Sequence, residues 1–258
     1  LYESAILMDL MGAPAAEKIA LLEPHASNFR RDDLFVELAK AYNQNFQPEK
    51  ALQLLLGHVF VACEGGEHAI ADQYMYAWFQ LGMAKKAAGD WAGCYELLEK
   101  ALTLPKSLGS GIWNRCKYVP YQFHMAECLE HMGKKEDAQS IYRMILDIEV
   151  EFFSSMHLRE LPYYQALCAE ALGLQQKAWN IMARAKRDWS FNLDRKDNGF
   201  FSTTPFFISF AQDPAIARRA YYQYLLGLVK LYEGDQERAK ALFRESYAGN
   251  SDSLFCHY

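Results

Sequence analysis

The sequence predicts an all-α fold, an α-α superhelix of about five helix-turn-helix units with a partial unit before them. A recurring phrase is the main reason. It runs from a small residue to Gly or a stand-in seven positions later, to Ala or Cys after five more, and to a bulky residue after a further four. The phrase reads Gly82, Gly89, Cys94, Leu98, then Ala126, Gly133, Ala138, Tyr142, then Ala166, Gly173, Ala178, Met182, and finally Gly227, Gly234, Ala239, Phe243. A degenerate copy precedes these as Ala39, Phe46, Ala51, Leu55. The second reason is periodicity. Apolar residues recur at three- and four-residue intervals, as in Leu34, Leu38, Ala41 and Tyr42, and no stretch alternates with period two. A phrase repeated every few tens of residues marks units that bury their apolar faces only against their neighbours.

Taken in order, the pattern predicts helices over 15–22, 32–45, 48–60, 68–88, 91–103, 118–132, 135–155, 160–172, 175–188, 214–233 and 236–247. Gly89, Gly133 and Gly234 each end one apolar-periodic run and precede another, as suits a left-handed position after a helix C-terminus. The turn is so short that the two helices must run antiparallel. A small residue five positions on lets the second helix approach the first, and the bulky residue after it fills the space between units. The units fall near 32–60, 68–104, 118–155, 160–188 and 214–248 of one repeat domain spanning 1–258, with an irregular connector at 189–213. A connector of that length is expected to carry function or extra contacts.

Composition narrows the function. The chain is 51% apolar and 23% charged with a net charge of -5, and no Lys/Arg run exceeds two residues. A nucleic-acid partner, which requires a clustered basic face, is not expected. Nor is a membrane, since no apolar stretch approaches the ~20 residues of a span. The six cysteines form no Cys-x-x-Cys pair and read as reduced thiols of a cytoplasmic protein. The chain starts at Leu1 inside a helix-like pattern, which reads as a piece excised from something longer.

The second unit, with Trp78, Leu81, Gly82, Gly89, Ala101 and nearby Pro105, resembles the tetratricopeptide repeat, Cys94 and Leu98 standing in for its other small and aromatic positions. Leu226, Gly227, Gly234, Ala239 and Phe243 repeat the resemblance, which covers residues 32 to 248. The period departs from the family. The anchors Ala51, Cys94, Ala138, Ala178 and Ala239 lie 43, 44, 40 and 61 residues apart, against about 34 in the family. Periods in the forties also suit HEAT-type arrays, but the Gly-x-x-x-x-Ala turn favours the tetratricopeptide reading. That resemblance implies a noncatalytic scaffold binding a protein or peptide segment, or an adjacent domain of its own polypeptide, through a concave face. The Lys and Asn with which some members clamp chaperone tails are here Val36 and Lys40, so that role is not expected.

A narrower resemblance joins Phe60, Glu64-Gly65-Gly66-Glu67, Tyr74, Gly82, Pro105, Leu108, Gly109 and Gly111. These are similar to the C-terminal repeat region of large bacterial proteins of unassigned function, which carry a galactose-mutarotase-like β-sandwich upstream. The implied alternative is a helical wall of a carbohydrate-active or sugar-binding site, completed by a β-sandwich absent from this chain.

Mapping the repeat register onto the first helix of each unit gives the candidate binding residues. They are Tyr76, Phe79, Phe123, Glu127, Tyr163, Tyr221 and Tyr224. Phe79, Phe123, Tyr163 and Tyr224 form a ladder that suits stacking on a peptide or sugar, and equally suits a closed core. Glu64, Gly65, Gly66 and Glu67 are a candidate ligand-contacting loop, with an interhelix turn as the plainer reading. His124, Glu127, Cys128 and His131 share one helical face at metal-ligand spacing, though packing explains that face as well, and no metal or cofactor is expected. No Ser-His-Asp ordering, phosphate loop or nucleophile elbow is present, so no catalytic residue is expected.

Overall fold

The computed structural model describes residues 1–61, 67–109, 111, 115–149, 160–195 and 214–250. Its helices are α1 (Tyr2–Leu10), α2 (Ala15–Leu22), α3 (Asp32–Gln44), α4 (Pro48–Leu56), α5 (Glu67–Ala87), α6 (Trp91–Ala101), α7 (Val119–His131), α8 (Lys135–Leu146), α9 (Leu161–Ala171), α10 (Gln175–Leu193), α11 (Pro214–Tyr232) and α12 (Gln236–Gly249). Among the described residues there is no strand. Successive helices pair, α1 with α2 through to α11 with α12.

One turn geometry joins every pair. Gly12, Gly89, Gly133, Gly173 and Gly234 hold positive φ of 66° to 81°, and Phe46 takes the same conformation at 53°. The residue after each donates its N–H to a carbonyl five positions back: Ala13 to Met8, Gln47 to Tyr42, Asp90 to Lys85, Lys134 to Leu129, Leu174 to Ala169 and Asp235 to Lys230, all at 2.7–2.9 Å. This Schellman closure satisfies carbonyls that a helix end otherwise leaves without partners. Asp90 and Asp235 then cap the following helix, accepting from the N–H groups of Gly93 at 2.9 Å and Arg238 at 3.1 Å.

The first pair is the partial N-terminal unit, and its helix α1 lies outside the predicted helices. Ala5, fully buried, stands seven residues before Gly12 just as Gly82 stands before Gly89. After Gly12 the phrase lapses, because its small anchor position is Glu17. Three helix ends also differ from expectation. Helix α4 stops at Leu56 because the next residues are drawn off by side-chain contacts. There His58 stacks on Phe35 at 4.0 Å and meets Asp32 at 2.8 Å, while the Phe60 N–H donates to the Ser107 carbonyl at 2.8 Å. Helix α10 runs on to Leu193, held by the buried Trp189. Helix α8 ends at Leu146, and residues 150–159 lie outside the described set.

The chain divides into two compact units, Leu1–Met144 and Ile145–Tyr258. In the first, α2 packs on α3, α3 on α4, α4 on α5, α5 on α6 and α6 on α7, with α3 also touching α5. In the second, α9 packs on α10, α10 on α11 and α11 on α12, with α9 touching α11. Contacts between sequence neighbours are what a repeat array requires.

The core follows the phrase. Ala39, Leu55, Leu98, Ala126, Tyr142, Ala166 and Met182 are all buried, as are the anchors Ala51, Cys94, Ala138, Ala178 and Ala239. The two glycines of the series show why the first position is small. A Cβ on Gly82 would lie 3.3 Å from Leu98 Cδ2, and one on Gly227 would overlap the Phe243 ring.

The N-terminal pair is joined to α3 by charge. Lys18 and Lys40 each contact both Asp9 and Glu37, making a closed ring of two cations and two anions. Lys18 is only 1% exposed. Burial alone would raise the Asp9 carboxyl pKa, but the ammonium groups of Lys40 and Lys18 outweigh it and hold it below its ordinary value.

The glycine contacts give a measurable difference. Alanine is favoured over glycine in a helix by about 1 kcal/mol, which offsets the mild crowding of Gly82→Ala and leaves that variant near neutral. Gly227→Ala should destabilise by about 1–3 kcal/mol, because a methyl meets an aromatic ring. In a Phe243→Leu background the penalty at 227 should largely disappear. Thermal unfolding of the four variants checks this. An unchanged penalty without the ring would show that the glycine is small for another reason.

Candidate functional site

The structure gathers some of the candidate residues and separates others. In the first unit Tyr76 stacks near Phe79 at 6.3 Å. Phe79 in turn meets Tyr121 at 5.4 Å and His124 at 5.6 Å. Phe123 lies 5.4 Å from His124 and 5.9 Å from Tyr142. These rings form one cluster between α5, α7 and α8. In the second unit Tyr221 lies 6.2 Å from Tyr224, and Tyr224 lies 5.8 Å from Phe243. Tyr163 packs edge-on against Tyr164 at 5.3 Å.

Burial decides what these rings do. Tyr76, Phe79, Phe123, Tyr163 and Tyr224 are all between 0 and 9% exposed. The partial exposure that an open aromatic groove requires is not found, and the rings act as core. These rings lie on α5, α7, α9 and α11, the first helix of each pair. Close approach of neighbouring pairs, which small residues permit, then covers that face. Tyr221 is half-buried, and its hydroxyl donates to Glu160 Oε2 at 2.9 Å, tying α11 to the residue that precedes α9.

Glu127 stands at the accessible edge of the first unit's cluster. Its Oε2 accepts from Lys86 Nζ at 2.6 Å and from His124 Nδ1 at 2.5 Å, and all three side chains are between about a fifth and a third exposed. Lys86 Nζ also lies 3.2 Å from His124 Nδ1. Since the ammonium can only donate, and Nδ1–H is directed at the carboxylate, the carboxylate is the shared acceptor of both groups. Burial disfavours the imidazolium and pushes the His124 pKa below its ordinary 6.5, and Lys86 acts the same way against the opposing pull of Glu127. Burial would raise the Glu127 pKa, but the hydrogen bonds and charges of His124 and Lys86 hold it below 4.5.

The possible metal face comes apart. His131 stacks flat on Trp91 at 3.6 Å, Cys128 is buried, and His124 is committed to Glu127. Among the described residues no group of three His, Cys, Asp or Glu side chains is arranged to hold a metal ion. Glu64, Gly65 and Gly66 lie outside the described residues. Glu67 is the first residue of α5, and its side chain is likewise outside the described set.

Two polar assemblies escaped the sequence reading. One is the Asp9–Lys18–Glu37–Lys40 ring. Its signal was Lys18, one position before Ile19 and four before Leu22, a charge on the buried side of a short helix. The other joins α3 to α5. The buried Asn43 side-chain amide donates to the Gln73 carbonyl at 3.0 Å and to Gln73 Oε1 at 2.8 Å, while the Gln80 amide donates to the Asn43 carbonyl at 3.2 Å. Uncharged polar residues at helix-face positions carry no periodicity signal that distinguishes them from a solvated face.

The tetratricopeptide-repeat family model matches residues 121–148, which covers α7 from its third residue and all of α8. No curated protein matches the chain. Similar solved structures include the TPR-like repeats of a Podosopora anserina kinesin light chain, 17% identical, covering 83% of this chain and 92% of that one with a TM-score of 0.34. A variant of those repeats is 18% identical, covering 87% of this chain and 95% of that one, with a TM-score of 0.35. A Rap protein complexed with Competence and Sporulation Factor is 12% identical, covering 96% of this chain and 63% of that one, with a TM-score of 0.36. The matched hairpin and the repeated turn make the chain an all-α, tetratricopeptide-like helical repeat. Among the described residues no helix is long and apolar enough to cross a membrane.

The His124 environment sets a pH dependence with a defined sign. A histidine whose folded pKa is depressed binds fewer protons folded than unfolded, so stability falls as pH drops through about 6.5. The carboxylates Glu127 and Asp9 add stability that is lost only at lower pH, as each protonates below its ordinary value. The melting temperature should therefore decline between about pH 7 and 5.5, and less steeply in His124→Gln. In NMR the His124 ring protons should titrate below 6.5. A midpoint above that value would mean that Glu127 outweighs burial.

Proposed function

We propose that the chain is a noncatalytic scaffold that binds a protein segment, or a neighbouring domain of its own polypeptide, through the first-helix face of its repeats. The observation that carries this is the coincidence of the family match with the polar edge of the aromatic cluster. The matched α7–α8 hairpin contributes His124 and Glu127, and α5 contributes Lys86. Recognition on this reading is polar at its centre, because the aromatic rings beneath are occupied in packing. Lys86 and Glu127 offer a cation and an anion side by side to a peptide backbone or to side chains of either sign, on a base fixed by Phe79 and Phe123. Such preorganised groups bind without the entropy cost of ordering long side chains. A partner of the same polypeptide and a separate protein present the same chemistry to this edge.

Selection from a displayed peptide library against the immobilised protein tests the proposal. Enriched peptides should lose about fivefold or more in affinity against Lys86→Met, equivalent to about 1 kcal/mol. They should bind normally to Lys50→Met, whose ion pair with Glu23 is exposed on α4. Equal affinity for both variants, or a library that yields no binder, would contradict the assignment.

A further inference from the structure

We propose that the solvent-facing side of α10 is a docking surface for an acidic peptide segment that carries apolar side chains among its carboxylates. It lies on the second helix of its pair, so it is separate from the first-helix edge of Lys86 and Glu127. Helix α10 packs on α9 and α11 and buries Ala178, Met182, Ala185 and Trp189. Residues four apart stand in one ridge along a helix. On the solvent-facing side of α10 that ridge is Trp179, Ala183, Arg187 and Phe191. All four are exposed, Trp179 by 62% and Phe191 by 72%. A single exposed ring is ordinary on a protein surface. Two on one ridge, with Ala183 and Arg187 between them, make a patch of the kind found at interfaces, where Trp, Phe and Arg are enriched.

Charge selects the occupant. Between Gln175 and Leu193 the helix carries Lys177, Arg184, Lys186 and Arg187 against Asp188 alone, in a chain whose net charge is -5. Lys186 Nζ is engaged, donating to Glu233 Oε1 at 2.5 Å. Arg184 and Arg187 each reach Asp188 only at 3.8 Å, too long for a hydrogen bond. Their guanidinium donors can therefore take a carboxylate in the two-point manner that arginine favours. The ridge from Trp179 to Phe191 is about 18 Å long at about 1.5 Å per residue. An extended segment of about six residues spans that length. Such a segment lays one apolar side chain on Trp179 and another on Phe191, with carboxylates between them on Arg184 and Arg187. A nucleic acid also combines negative charge with flat rings. Its run of phosphates, however, extends beyond the patch over a chain of net negative charge. A short acidic segment feels mainly the charges within about 8 Å, where cations prevail.

The test uses the full chain and fluorescein-labelled peptides of about eight residues, in which Asp and Glu alternate with Leu and Phe, read by anisotropy. Matched peptides carry Lys in place of the acids, or Ser in place of the apolar residues. The acidic apolar peptide should bind. Its affinity should fall at least about tenfold in Trp179→Ser, and as much in the double variant Arg184→Gln with Arg187→Gln. These side chains are exposed, so the substitutions should change the melting temperature little. Both matched peptides should bind at least about tenfold more weakly, and added salt should weaken the acidic one. Lys86→Met, on α5, should bind the acidic peptide as the parent chain does. Affinity lost in Lys86→Met but kept in the α10 variants would overturn this proposal and leave the first-helix reading in place. The proposal also fails if the acidic apolar peptide does not bind, or if its Ser-substituted match binds equally well. It fails again if labelled oligothymidylate binds this face more tightly than the peptide. Self-association seen by light scattering and lost in Trp179→Ser would assign the ridge to a second copy instead.

Discussion

A helix that turns back on itself within two residues must place one residue at positive φ, and that requirement organises this chain. It is met at residues 12, 46, 89, 133, 173 and 234. Each time the closing hydrogen bond runs from the following N–H to a carbonyl five residues back. Once the turn is fixed, so is the level at which the paired helices face each other. The small residue lies seven positions before the turn, and the second helix begins two after it. The bulky partner is seven positions further on, so both sit about 10 Å from the turn at 1.5 Å per residue. Leu98 opposite Gly82 and Phe243 opposite Gly227 are direct results. The anchor between them is small because it lies where the helices are closest.

The fold was legible because this device leaves a spaced signature of glycines and small residues, and periodicity did the rest. Phe46 shows how far the signature tolerates decay. A bulky residue holds the left-handed position, its ring exposed to solvent, and the hydrogen bonding is unchanged. Helix α1 shows where legibility ends. Ala5 and Gly12 keep half of the phrase, but Glu17 replaces the small anchor, and a buried ring of charges takes over from apolar contact. Such rings depend on four residues from three helices and have no spacing to read. Helix ends were equally hidden where a side chain such as His58 finds a distant partner in Phe35 and Asp32.

The candidate site was legible in position but not in exposure. Sequence register puts Phe79, Phe123, Tyr163 and Tyr224 on the first helix of their pairs, and says nothing of how closely the pairs approach. The answer is that the rings are core. What remains accessible in the first unit is the Lys86, His124 and Glu127 edge, whose members come from two helices.

A left-handed residue, rather than the identity of the residue that holds it, sets the repeat. The most direct measurement is a pair of substitutions made in opposite senses. A Cβ at Gly133 meets no atom within 4 Å, so Gly133→Ala carries only a backbone penalty. It should lower stability by about 1 kcal/mol, a shift of a few degrees in melting temperature. Phe46→Gly relieves the same penalty at a non-glycine turn and, because the ring is 62% exposed, forfeits little packing. It should raise stability by a similar amount. Opposite signs support the account; a loss of stability at both positions, or no change at either, would contradict it.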